Sequence, residues 1–171
     1  MSRPETSRPG IDHYFMNIAV VVASRATCLR RRVGAVITQG KQIVSTGYNG
    51  APQGMSHCLD IGCARENVPS GTRSELCRGA HAEQNAINFA ARYGISIAGA
   101  TLYTTHLPCS WCAKSIVNAG IERVVFLNDY PDPASKGILG NLTVEQLRGF
   151  TPPKGQEETA GTIRGYPPRR S

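Results

Sequence analysis

Two clusters of metal-ligating side chains constrain this chain more than any other feature of its sequence. One is His81-Ala82-Glu83 and the other is Pro108-Cys109-Ser110-Trp111-Cys112, and residues 84–107 separate them. That interval has the length that a helix, a strand and a loop need to bring two helix ends together. A fold that serves both clusters must therefore alternate helices with strands in this region.

Hydrophobic periodicity predicts the remaining elements. Strands that alternate with helices late in the chain imply a mixed α/β sheet with helices packed on its faces. The pattern predicts one domain over residues 11–150, with flexible tails at 1–10 and 151–171. The predicted elements are a helix at 12–28, strands at 33–38 and 42–48, a helix at 81–93, a strand at 101–105, a helix at 108–119, a strand at 123–127, and weaker signals for a helix at 133–139 and a strand at 142–144.

The net charge of +7 does not by itself indicate a nucleic-acid partner. Several basic residues lie in the tails, and the one dense cluster, Arg30 to Arg32, could equally meet a single nucleotide phosphate. The longest apolar run, Phe15 to Ala23, is too short to span a bilayer, and the polar segment before it does not fit a secretory signal. We therefore expect a cytoplasmic protein, in which closely spaced cysteines indicate a metal or catalysis before disulfides.

The two clusters have the composition of a catalytic zinc site. Cys109 and Cys112 are three residues apart, so on a helix they share a face, and a helix N-terminus favours their thiolate form. With His81 as third ligand, the fourth tetrahedral position stays open, as in catalytic rather than structural zinc sites. Glu83 is expected beside the ligands, where it would shuttle protons. A purely structural reading does not explain the retained glutamate.

The pattern H-x-E…P-C-x-x-C resembles the signature of zinc-dependent base deaminases. His81 to Ile87, Pro108 to Ile121 and Val33 to Ile37 are similar to the cytidine and deoxycytidylate deaminase superfamily. Gly47 to Pro52 and Asp129 to Asp132 resemble its deoxycytidylate branch. The resemblance covers about residues 12–132. It implies a three-layer α/β/α fold and zinc-dependent hydrolysis of dCMP to dUMP and ammonia.

The resemblance also implies residue roles around a nucleotide substrate. Asn49 would hydrogen-bond the deoxyribose, backbone groups near Ala82 and Leu107 would read the cytosine edge, and Tyr130 would form a wall of the base pocket. Arg31, within the arginine cluster, is a candidate for the 5′-phosphate. The branch further implies a homo-oligomer, commonly a hexamer, activated by dCTP and inhibited by dTTP through a Mg²⁺-assisted site, with Gly47 to Gly54 as the candidate region.

Four cysteines lie outside the first site. One ends the first predicted helix, and the other three fall in the long irregular stretch from Gly50 to Gly79, which needs something to hold it. A second, structural zinc with four thiolates would do so, as some members of the branch carry an extra zinc; buried, unused thiols are the alternative. These residues are Cys28, Cys58, Cys63 and Cys77.

Two other functions share parts of this pattern. A polynucleotide deaminase acting on tRNA or DNA would use the same zinc motif, but the sequence shows no basic groove rich in aromatic residues for a strand. Nucleic acid is therefore an unlikely partner. A non-catalytic module stabilised by zinc would not need Glu83. Ammonia release from dCMP, compared with an oligonucleotide, discriminates among the three.

Overall fold

The computed structural model describes residues 8–157 and contains a five-stranded sheet in the order β2-β1-β3-β4-β5. β1 pairs antiparallel with β2 and β3, whereas β3, β4 and β5 run parallel. The mixed sheet expected from the sequence is confirmed. In chain order the elements are α1 (Ile11–Ala23), β1 (Gly34–Gln39), β2 (Gln42–Tyr48), α2 (Cys58–Ile61), α3 (Ala82–Arg92), β3 (Thr101–His106), α4 (Ser110–Asn118), β4 (Arg123–Asn128), α5 (Pro133–Ile138) and β5 (Thr143–Gln146).

Helix α1 covers one face of the sheet. Phe15, Met16 and Ala19 are buried against Val36 and Tyr103 of the strands. At their closest point the backbones nearly touch, since a Cβ on Gly34 would lie 2.1 Å from the Ala19 carbonyl oxygen. Only glycine allows this approach.

Helices α3 and α4 cover the opposite face, which completes the three-layer α/β/α arrangement predicted by the resemblance. Their small or apolar side chains, Ala86, Ala90 and Ile116, are buried with Leu102 of β3. Gly47 allows a similar close approach of helix and strand, because a Cβ there would lie 2.2 Å from the Ala82 carbonyl oxygen. The start of α3 is thereby held directly on β2.

The first helix is shorter than predicted. It ends at Ala23 rather than at Cys28, because the backbone then turns, with Ala26 N donating to Ala23 O. Thr27 N donates to Asn49 O at 3.1 Å, which ties the turn to the end of β2. Apolar periodicity continues past Ala23, and it carries no sign of this tertiary hydrogen bond.

The stretch from 50 to 79 is less irregular than predicted, since it contains α2 and a short 3-10 helix at Ser74–Leu76. Gly50 and Ala80 exchange backbone hydrogen bonds and close its base. Of the predicted tails, residues 1–7 and 158–171 lie outside the described part of the chain, while Phe150 packs against the core on the α1 side. No helix within residues 8–157 is long and apolar enough to cross a membrane.

Candidate active site

The two predicted clusters meet at the N-termini of α3 and α4. His81 and Cys109 occupy the N-cap positions with extended backbones, rather than the first helical turns that the sequence predicted. Nδ1 of His81 lies 3.3 Å from the sulfur of Cys109 and 3.3 Å from that of Cys112. All three ligand atoms are within 4.8 Å of one another, the only such group of three or more among the described residues. We call these three residues the metal cluster.

Backbone hydrogen bonds fix the metal cluster in place. His81 N donates to Oε1 of Gln84, and Ser110 N donates to Oδ2 of Asp132 at 2.7 Å. The hydroxyl of Ser135 donates to the Pro108 carbonyl oxygen. Asp132 and Ser135 therefore hold the turn that carries Cys109, a role that sequence analysis did not assign to them.

The three groups of the metal cluster shift one another's pKa values. A hydrogen bond with Cys112, and then one with His81, lowers the pKa of Cys109 to about 4, although burial opposes this. The hydrogen bond with Cys109 raises the pKa of His81 to about 9 and raises that of Cys112 as well. The three groups titrate together, with the negative charge on the Cys109 sulfur and the shared proton on the His81 ring. Thiolate sulfur and imidazole nitrogen are the donors that zinc prefers.

Glu83 lies beside the metal cluster and outside it, as predicted. Its carboxylate oxygen Oε2 is 3.5 Å from the Cys112 sulfur, and the residue is 4% exposed. Burial raises the pKa of this carboxyl above its usual range. A buried carboxyl with a raised pKa can both accept and return a proton near neutral pH.

A single cavity is lined by His81 and Cys109 of the metal cluster and by residues from distant parts of the chain. Its lining includes the predicted substrate contacts Asn49, Ala82, Leu107, Tyr130 and Arg31, so the structure brings all five together. Ala82 is the first residue of α3, where the backbone N–H has no partner within the helix. Leu107 N already donates to Asn128 O at 2.8 Å, which leaves the Leu107 carbonyl as its group for reading a base.

The Asn49 side chain already makes two hydrogen bonds within the protein. Its Oδ1 accepts from Val33 N and its Nδ2 donates to Arg31 O, both at 2.8 Å. An amide group retains one further N–H and a lone pair, so it can still meet a hydroxyl. Tyr130 packs beneath the Arg31 guanidinium, which lies 5.0 Å from the ring centroid.

The cavity is also lined by four arginines, which we call the arginine group. None of the four makes a salt bridge with a carboxylate among residues 8–157, and Glu83 is the one carboxylate in the lining. Arg30 and Arg31 are recognisable in the sequence because they belong to its one dense basic cluster. No periodic pattern marks Arg65 or Arg78. The members of the arginine group are Arg30, Arg31, Arg65 and Arg78.

The other four cysteines, Cys28, Cys58, Cys63 and Cys77, line the same cavity as free thiols. Backbone N–H groups donate to two of them, from Arg30 to Cys28 at 3.4 Å and from Arg65 to Cys63 at 3.3 Å. Within the described chain, however, no three of these sulfurs come within 4.8 Å of one another. The second zinc site therefore stays a prediction.

Comparisons with known proteins agree with this geometry. Residues 9–128 match the family model of the cytidine and deoxycytidylate deaminase zinc-binding region. The chain is 38% identical to a deoxycytidylate deaminase of Schizosaccharomyces pombe over 153 residues, which are 88% of this chain and 47% of that protein. It is 41% identical to the deoxycytidylate deaminase of Mycobacterium phage D29, over 70% of this chain and 96% of the phage protein. The chain thus spans about half the length of the yeast relative.

A solved structure is similar in fold. The dCMP deaminase from the cyanophage S-TIM5, in a crystal structure with dCMP and dUMP, is 29% identical in sequence with a TM-score of 0.69. The match covers 86% of this chain and all of the phage chain (100%). The sheet and flanking helices are therefore arranged as in that dCMP deaminase.

Proposed function

This chain belongs to the cytidine and deoxycytidylate deaminase family, and from that premise we propose that it hydrolyses dCMP to dUMP with release of ammonia. The observation that carries the proposal is the metal cluster, set in one cavity with the buried carboxyl of Glu83 and the arginine group. The first two supply the chemistry of deamination. The arginines match a substrate that carries a phosphate.

Zinc fits the residues present. One imidazole nitrogen and two sulfurs, all within 4.8 Å, leave one position of a tetrahedral ion open. When bound, zinc would supply a Lewis acid and a water that is activated at neutral pH. His81, Cys109 and Cys112 would hold it, while the hydrogen bonds from Ser110 N and His81 N keep the ligand-bearing turns in place.

Glu83 is the proposed acid and base. Its ionised Oε2 would take one proton from the attacking water and deliver it to ring N3. It would then take the second proton from the same oxygen in the tetrahedral adduct and deliver it to the departing amine, so that the carbonyl forms and ammonia leaves. Burial raises the pKa of this carboxyl, so it holds each proton between the two transfers. Its position at the first turn of α3 keeps this group fixed relative to His81, two residues earlier.

The predicted substrate contacts surround the remaining cavity. We propose that the Ala82 N–H and the Leu107 carbonyl read the cytosine edge, that Asn49 meets the deoxyribose, and that Tyr130 packs on the base. Arg31 would meet the 5′-phosphate, where its guanidinium has a buried Nη1 without a hydrogen-bond partner among residues 8–157. Burial of a charged donor in this way is costly unless a ligand satisfies it.

The test is ammonia release, with matched ultraviolet spectra, from dCMP, dCTP, deoxycytidine and a cytosine-containing oligonucleotide. The proposal expects turnover of dCMP well above that of the other three. Turnover of the oligonucleotide alone would assign the site to nucleic-acid editing, and turnover of none would indicate a binding role. The same preparation, treated with a chelator, serves as the metal-free control.

A second, structural zinc is proposed for Cys28, Cys58, Cys63 and Cys77. What supports it is that all four line one cavity and that the sulfurs of two, Cys28 and Cys63, accept hydrogen bonds from backbone N–H groups. Metal analysis of purified protein should give two zinc ions per chain, falling to one in Cys63→Ser. One zinc per chain in both proteins would contradict this part of the proposal.

Regulation and assembly are further parts of the proposal. We expect dCTP to activate and dTTP to inhibit through a Mg²⁺-assisted nucleotide site in the region of Gly47 to Gly54, in a homo-oligomeric, commonly hexameric, cytoplasmic enzyme whose domain spans residues 11–150. Support comes from the resemblance of the sequence to the deoxycytidylate branch. Unchanged dCMP turnover upon addition of either nucleotide with Mg²⁺ would remove the allosteric part.

A further inference from the structure

His106 is a buried polar residue of the cavity that the mechanism above does not use. It ends β3, is 2% exposed and lines the same cavity as the metal cluster. Its ring atom Nε2 is buried and has no hydrogen-bond partner among residues 8–157. Buried ring nitrogens are normally paired, so this one requires an explanation.

The neighbouring hydroxyl offers Nδ1 of His106 a hydrogen bond. Gly34 N donates to Oγ1 of Thr105 at 3.2 Å, so this oxygen already accepts one hydrogen bond. Oγ1 also lies 3.2 Å from Nδ1 of His106, and we assign this contact with the hydroxyl donating and Nδ1 accepting. In the neutral ring Nε2 then carries the proton. The unpartnered atom is an N–H donor.

The ring is neutral as well as buried. Burial, together with the charge of Arg31, lowers the pKa of His106 to about 3. Arg31 is therefore close enough to act on the ring electrostatically. Both residues present a buried nitrogen without a partner among residues 8–157, Nε2 in His106 and Nη1 in Arg31.

The two donors suit one anionic acceptor. Arg31 is held in place by Tyr130, whose ring lies under its guanidinium, and by Ser70, whose hydroxyl accepts from Nη2 at 3.1 Å. Of the oxygen acceptors in dCMP, only those of the phosphate are charged, and the arginine group favours that end of the molecule. A neutral donor beside a fixed cation adds direction to the attraction that the cation provides.

We propose that His106 is a specificity-determining residue, which donates a hydrogen bond from Nε2 to an oxygen of the substrate 5′-phosphate beside Arg31. The inference rests on the proposed function, because it takes dCMP as the substrate. It assigns to His106 the preference for a nucleotide over the corresponding nucleoside. Glu83 and the metal cluster keep their roles in the chemistry.

The test compares ligands that differ only by the phosphate. In His106→Leu, kcat/KM for dCMP should fall about tenfold to a hundredfold, whereas that for deoxycytidine should stay within about twofold. His106→Gln keeps an N–H donor and should recover part of the loss. Calorimetric affinity for dUMP should fall in parallel, with that for deoxyuridine unchanged.

Thr104→Val is the matched control. Thr104 also lies on β3 and has a buried hydroxyl oxygen without a partner in the described chain, but it does not line the cavity. This variant should leave both kcat/KM values unchanged. A comparable loss in Thr104→Val would show that β3 is merely sensitive to substitution and would overturn the assignment.

Equal losses for dCMP and deoxycytidine in His106→Leu, or unchanged affinity for dUMP, would also overturn it. Failure of the proposed function looks different, since the wild-type protein would then not release ammonia from dCMP. The binding arm still decides the role of His106 in that case, because the affinities for dUMP and deoxyuridine are measured without turnover. If His106→Leu does not fold, the ratio of dUMP affinity to deoxyuridine affinity is measured in His106→Gln. A ratio below the wild-type ratio supports the phosphate contact, because glutamine restores only part of it, and an unchanged ratio overturns the proposal.

Discussion

The metal cluster, through His81 and Cys109, and the arginine group line one cavity, but the two sets are assembled from the chain in different ways. The metal cluster comes from two helix N-termini. Hydrogen bonds from the backbone N–H groups of His81 and Ser110 to side-chain oxygens hold these N-termini in place. The arginines come from the loop after α1 and from the stretch between Gly50 and Ala80, and three of them donate to carbonyl oxygens of that stretch. The proposed function thus places the chemistry on rigid elements and much of the substrate selection on loops.

The largest effect should come from Glu83→Gln, which tests the chemical side of this comparison. The amide keeps the shape of the side chain but cannot shuttle a proton, so kcat should fall by about 10²–10⁴. Because the phosphate is not involved, dCMP and deoxycytidine should be affected equally. Zinc content, measured on the same sample, should stay at the wild-type level; near-normal turnover would contradict the role given to Glu83.

Arg31→Gln tests whether the arginine group selects for a substrate that carries a phosphate. Loss of a charge-assisted contact to phosphate should lower kcat/KM for dCMP about tenfold to a hundredfold and spare deoxycytidine. Arg73→Gln is the control, because Arg73 is exposed, pairs with Glu75 and does not line the cavity. Steady-state kinetics with dCMP and deoxycytidine check this. Equal losses of kcat/KM for the two substrates would contradict the division of roles between the metal cluster and the arginine group.

Gly47→Ala and Gly34→Ala sharpen the comparison at the level of packing. Each added methyl would meet helix backbone, Ala82 O at 2.2 Å or Ala19 O at 2.1 Å. Both variants should lose about 1–3 kcal/mol of unfolding free energy, because the helix backbone that the added methyl meets must shift to make room. Only Gly47→Ala displaces the helix that follows His81, so only it should weaken zinc binding. Competition with a chromophoric chelator measures this, and equal zinc affinity in the two variants would contradict it.

The smallest effect is expected far from the cavity, at Asp12. Hydrogen bonds from Arg123 lower the pKa of this carboxyl, against the effect of burial. A lowered folded-state pKa stabilises the protein above the unfolded value of about 3.9, and this stability is lost as the pH falls through the folded value. Asp12→Asn should therefore cost about 1 kcal/mol at pH 7 and nothing at the acid end. Denaturant titrations at several pH values check this, with dCMP turnover at pH 7 unchanged.

The sequence predicted the metal cluster because its evidence is local. A spacing of two or three residues at a helix start limits the geometry, and Gly94 and Gly120 mark where the helices stop. The layers of the fold were predicted for the same reason, from periodicity within each element. The end of α1, the caps of α3 and α4 and the short helices between Gly50 and Gly79 differed. The end of α1 differed because the long-range hydrogen bond from Thr27 N to Asn49 O does not show in apolar periodicity.

The arginine group could not be predicted in the same way. Arg65 is only 8% exposed and donates to Thr72 O, a contact that exists only once the loop has folded. No periodic pattern marks such a residue. His106 stands two residues before the Pro-Cys motif, yet a lone histidine at the end of an apolar strand is usually read as core. The proton on its Nε2 is assigned from the contact between Nδ1 and the hydroxyl of Thr105, which only the folded structure shows.

The most direct measurement follows dCMP turnover and dUMP binding in the same protein before and after removal of zinc by a chelator. The account predicts that turnover disappears with the metal and returns when zinc is added, while dUMP binding persists through the phosphate contacts. Turnover that survives complete loss of zinc would contradict the assignment of the chemistry to His81, Cys109, Cys112 and Glu83.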